Sequence, residues 1–76
     1  MIKATGNNWL QLYYKVRNSL EVKRYKKSEL KELLNRLYKE IGINRKAKET
    51  DLNEFNIRYQ KKVIRGYEQI DIIAID

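Results

Sequence analysis

The sequence predicts an α+β domain, a winged helix-turn-helix in which three helices precede a C-terminal β-hairpin wing. Three observations predict it. Apolar residues recur with a helical period in two segments before Gly42. A short capped segment follows around Thr50 and Asp51. The period then changes to alternation on both sides of Arg65-Gly66. With 76 residues there is material for one hydrophobic core, so residues 1–76 are expected to form a single domain.

The first helix is expected from Asn8 to Leu20. Trp9, Leu12, Tyr13, Val16 and Leu20 form one stripe, while Lys15, Arg17 and Asn18 lie off it. Asn7 or Asn8 can cap it by accepting from the free N–H groups of the first turn. Glu21–Lys27 reads as an extended connector with room for a short strand. The second helix is expected from Glu29 to Ile41, capped by Ser28 and stopped at Gly42. Leu30, Leu33, Leu34, Leu37, Tyr38 and Ile41 make its apolar face.

The third helix is expected from Thr50, with a start as early as Ala47 as the alternative, to around Asn56. Thr50 caps it, Asp51 sits in its first turn, and Leu52 and Phe55 turn to the core. The hairpin is expected to turn at Arg65-Gly66, with Ile64 opposite Tyr67, Tyr59 opposite Ile72 and Ile57 opposite Ala74. That register puts Ile57, Tyr59, Val63, Ile70, Ile72 and Ala74 on one face. It leaves Arg58, Gln60, Lys62, Gln69 and Asp71 on the other, with Ile64 and Ile73 as apolar exceptions. Glycine occurs at Gly6, Gly42 and Gly66, each where a segment is expected to start or stop.

Composition excludes several classes of chemistry. There is no cysteine, hence no disulfide framework and no thiolate metal site. There is no histidine, which removes the usual zinc ligand and the commonest general base. The carboxylates are scattered, and no phosphate-binding loop motif occurs. The chain is therefore expected to bind rather than catalyse, and to need no cofactor. No apolar run is long enough for a membrane span, and Met1 to Asn8 lacks a signal-peptide stretch, so a cytoplasmic location is expected.

Lysine and arginine outnumber acids by 17 to 10, a net charge of +7, which favours a polyanionic partner. The basic residues fall in three groups: Arg45, Lys46 and Lys48 on the connection into the third helix; Arg58, Lys61, Lys62 and Arg65 on the hairpin; and Lys23, Arg24, Lys26 and Lys27 before the second helix. In a winged helix the first two regions lie side by side against a duplex, while the second helix crosses the backbone. Lys61 falls on the apolar face of the hairpin but near its tip, from where its ammonium can reach a phosphate. Asn53 and Asn56 are the residues able to bond a base edge from the third helix. Glu49, Asp51 and Glu54 on the same helix oppose phosphate unless they cap locally or point away.

The run YKKSELKELLNRLYKEIGINRKAKETDLNEF, followed by a hairpin containing VIRGYEQI, resembles the C-terminal winged-helix regions of phage and plasmid primase–helicase replication proteins. Leu30, Leu34, Leu37 and Tyr38 match the helix, and Gly66 and Tyr67 match the hairpin, over about two thirds of the chain. The resemblance implies DNA binding, with a replication origin as one target. The ATPase and primase parts are missing, so the resemblance implies either a fragment of a larger protein or a free-standing binder. The expected partner is double-stranded DNA. The expected phosphate and base contacts are Lys26, Lys27, Arg45, Lys46, Lys48, Asn53, Arg58, Lys61, Lys62 and Arg65. A module that docks another protein is the alternative, favoured by the acids of the third helix. RNA binding comes third.

Overall fold

The computed structural model describes residues 7–76. Met1 to Gly6, including the glycine expected at a segment start, lie outside the described residues. The elements run α1 (Asn7–Ser19), β1 (Arg24–Lys26), α2 (Lys27–Ile41), a 3-10 segment (Glu49–Phe55), β2 (Ile57–Ile64) and β3 (Tyr67–Ile75). The strands form one antiparallel sheet in the order β1-β3-β2. The domain is thus α+β, with helices packed on one face of a three-stranded sheet.

The stripes of both helices reach the core. Leu12 and Val16 of α1, and Leu20 just after it, are buried against Leu30, Leu34, Leu37 and Tyr38 of α2. Trp9 is half-buried and stacks on Phe55 with ring centroids 5.5 Å apart. The α2 helix begins at Lys27, ahead of the expected Ser28 cap. Lys26 holds the cap position in an extended conformation, and its side chain offers the helix no acceptor. The cause is tertiary. Lys26 is still paired with Gln69 in the sheet, so the strand runs straight into the helix. Gly42 ends α2 in the left-handed region at φ 89°. There the Ile43 N–H reaches back to the Tyr38 carbonyl at 2.8 Å, the bond of a Schellman stop.

After Gly42 the chain returns along α2. The Asn35 side-chain carbonyl accepts from the Ala47 N–H at 2.6 Å, and Ile43 and Ala47 are buried beneath it. The expected third helix is a 3-10 segment, capped at Lys48 rather than Thr50. Leu52 and Phe55 are spaced by three, and side chains at that spacing eclipse in a 3-10 turn, so both enter the core together. Asn56 stops the segment in the left-handed region at φ 55°.

The hairpin turns at Arg65-Gly66, as the alternation predicts. Both residues have positive φ, 51° and 81°, the requirement of a type I′ turn. Ile64 opposes Tyr67 and Tyr59 opposes Ile72, as expected. Ile57 does not oppose Ala74 but Ile75. A register shift between Arg58 and Tyr59 leaves Ile73 as an extra residue in β3. The shift changes the phase of the strand. Ala74 joins Arg58 on the outer face, and Ile75 packs against the core opposite buried Ile57. Val63, also expected on the core face, is exposed because the strand there projects past the helices.

Candidate nucleic-acid interface

Four charged side chains from four parts of the chain meet near the hairpin tip. Lys27 opens α2, Glu49 opens the 3-10 segment, Lys61 lies on β2 and Glu68 on β3. The Lys27 ammonium lies 2.5 Å from the Glu68 carboxylate and 3.7 Å from that of Glu49. Lys61 lies 3.4 Å from Glu68 and 3.6 Å from Glu49. Charges alternate around the cluster. Bonds to Lys27 and then to Lys61 hold the Glu68 carboxyl below its ordinary pKa. The Glu49 carboxyl is also lowered, first by its own backbone N–H and then by Lys27 and Lys61. Lys27 is raised, chiefly by Glu68.

Around this cluster lie cations with no ion-pair partner among the described residues. Lys26 and Lys31 flank Lys27, Lys48 adjoins Glu49, and Arg65 sits on the turn. Lys26 and Lys62 stand in one cross-strand row on the outer face, either side of Gln69. Lys62 and Arg24 share the Asp71 carboxylate, at 3.4 Å and 2.8 Å, and Arg24 chiefly lowers its pKa. A groove opens between the start of α2 and the hairpin tip, with Lys26, Ser28 and Lys31 on one side and Val63, Tyr67 and Glu68 on the other.

The other expected contact residues are dispersed. Arg45 is turned inward: its guanidinium bonds the buried Asp51 carboxylate at 2.5 Å. Lys46 lines a second concavity with Asn35, Lys39, Ile43 and Asn44, beside the C-terminal half of α2. Arg58 pairs with Asp76 at 3.4 Å, far from the turn. Arg65 stands seven positions further along the chain, about 23 Å at 3.3 Å per residue. Asn53 is exposed on the 3-10 segment, while Asn56 spends its amide on the Tyr13 hydroxyl at 2.8 Å.

The acids of the 3-10 segment are largely engaged within the fold. Glu49 belongs to the four-residue cluster. Asp51 is buried and accepts from Tyr38, Arg45 and the Lys48 backbone N–H. Glu54 is half-buried. Sequence reasoning missed the role of Glu68, and it missed Lys31. The signal for Lys31 was its spacing of four from Lys27, which puts both on one helix face. Among the described residues no cluster of three or more acids could hold a metal ion, and no helix is long and apolar enough to cross a membrane. Comparison with known protein families, with curated proteins and with solved structures finds nothing that matches this chain.

Proposed function

We propose that this domain is a winged helix that binds double-stranded DNA through the face around the Lys27–Glu49–Lys61–Glu68 cluster. The element order supports the winged-helix reading: a short strand between the first two helices pairs with the second strand of the hairpin. The observation that carries the binding reading is the cluster itself. It joins the start of α2, the start of the 3-10 segment and the hairpin, so Lys27 and Lys61 of two basic stretches far apart in sequence meet beside Glu49, the neighbour of Lys48 from the third. Lys26, Lys48, Lys62 and Arg65 are the phosphate contacts in this reading. Lys27 and Lys61 exchange a glutamate for a phosphate on binding. Asn53 is the residue that would touch a base. A role in phage or plasmid replication or transcription control is the setting we propose.

Fluorescence anisotropy with random-sequence duplex across a salt series tests the proposal. Four to six phosphate contacts give a slope of log K against log salt of about −4 to −5, at −0.9 per phosphate. Weak binding with a shallow slope overturns it. A second reading, a protein-docking module, draws on the exposed Val63, Ile64, Tyr67 and Ile73 of the hairpin. It predicts loss of a protein complex on changing Ile64 or Ile73, with no duplex binding at physiological salt.

A further inference from the structure

We infer that the groove between the start of α2 and the hairpin tip takes an unpaired nucleotide, so the domain prefers duplex ends with a single-stranded extension over blunt duplex. The inference rests on the proposed reading of the chain as a duplex binder and names a further site beside that face. Two kinds of group meet in the groove. Lys26 and Lys31 supply positive charge and form no ion pair among the described residues: Glu68 is held by Lys27 and Lys61, and Glu49, which feels the Lys31 charge through space, is paired with the same two lysines. Tyr67 supplies an aromatic ring that is 69% exposed. Exposed Val63 adds apolar surface to the groove lining.

This combination matches a nucleotide, which carries a π face and an anionic phosphate on one short frame. Bases inside a duplex have both faces covered by their neighbours. A tyrosine at the rim of a groove can stack only on a base that is unpaired or terminal. Stacking of this kind tolerates any base, and basic side chains follow the backbone. An acidic peptide would satisfy the two lysines but leave the ring in water. The groove also adjoins Arg65 and Lys62, so a strand leaving a duplex held on the hairpin passes directly into it.

The test uses anisotropy with a blunt duplex and with the same duplex carrying an oligothymidine extension at either the 3′ or the 5′ end. One of the extended forms is expected to bind tighter by about fivefold or more, the equivalent of one base–aromatic stack. Tyr67→Ala should abolish that gain and leave blunt-duplex affinity unchanged, while Tyr67→Phe, which keeps the ring, should retain the gain. Lys31→Gln should reduce the gain, and its salt slope on extended DNA should flatten by about 0.7, the value for one single-strand phosphate. Circular dichroism and Tm confirm that each variant is folded. Equal affinity for blunt and extended DNA, or a gain that survives Tyr67→Ala, overturns this inference and leaves duplex binding standing. Failure to bind either DNA overturns the duplex reading and this inference together.

Discussion

The phenolic O–H of Tyr38 donates to the Asp51 carboxylate across 2.9 Å, inside the core. The pair ties the last turn of α2 to the 3-10 segment, which no α-helical ladder stabilises. Burial, and then this bond, push the Tyr38 phenol well above its ordinary pKa, so it stays a donor at any physiological pH. The same carboxylate accepts from Arg45 at 2.5 Å and from the Lys48 N–H at 3.1 Å. Asp51→Asn removes the charge and points amide hydrogens at some of these donors. It should cost about 2–4 kcal/mol in urea unfolding, since a buried charged acceptor is lost. Tyr38→Phe should cost about 1–2 kcal/mol, and the double variant less than the sum, because both touch one network. A loss under about 0.5 kcal/mol for Asp51→Asn would show that the carboxylate does not organise this segment.

Leu34 is fully buried at the centre of α2, between α1 and the sheet. Leu34→Ala should destabilise by about 2–5 kcal/mol, through lost transfer energy plus a cavity. A domain this small has a total stability of only a few such units, so the variant should be largely unfolded at 37 °C. Thermal unfolding followed by circular dichroism reads the outcome. A Tm shift of less than a few degrees would contradict the packing described here.

Arg65 holds φ 51° at the first central position of a type I′ turn, a conformation that asparagine adopts at less cost. Arg65→Asn should therefore raise stability, by about 0.5–1 kcal/mol. It also removes the cation at the tip. Affinity for duplex DNA should fall for all sequences alike, with the salt slope flatter by about one unit. Lys62→Ala should weaken binding in the same sequence-independent way. Higher Tm together with weaker binding is the combined signature. Unchanged binding would remove the turn from the DNA face.

Glu49, Glu68 and Asp71 all have carboxyl pKa values below ordinary, through the bonds to backbone, lysine and arginine described above. A carboxyl whose pKa is lower in the folded state stabilises the fold above its unfolded value of about 4. That stabilisation is lost as pH falls through the folded value. Tm should therefore hold steady from pH 7 to about 5 and fall below about 4. Glu68→Gln should make that fall shallower. The same variant leaves Lys27 and Lys61 with Glu49 as their one carboxylate partner in the cluster and should tighten duplex binding while steepening the salt slope by about one unit per recruited phosphate. Weaker binding by Glu68→Gln would mean that the cluster orders the face rather than competing for it.

Features under local physical control are legible in the residue order alone. Trp9, Leu12, Tyr13 and Val16 at helical spacing mark α1, and Leu30 to Ile41 mark α2, because a helix must bury one stripe. Gly42 and Arg65-Gly66 mark a stop and a turn, because positive φ restricts which residues fit. The hairpin register was legible from the turn as far as Tyr59 and Ile72. Tertiary structure decided the rest. The extra residue at Ile73 depends on filling the core under Ile57 with Ile75 rather than Ala74, a choice that alternation along one strand does not encode. The 3-10 form of Glu49–Phe55 and the burial of Asp51 depend on Tyr38 and Arg45, which approach from elsewhere in the fold. The electrostatics of the candidate face are the clearest case. Charge count alone makes Lys27, Arg45 and Lys61 equal to Lys26, Lys48 and Arg65. Only the three-dimensional placement of Glu49, Asp51 and Glu68 separates the cations held within the fold from those left facing solvent, because ion pairing is set by distances of a few ångströms between residues remote in sequence.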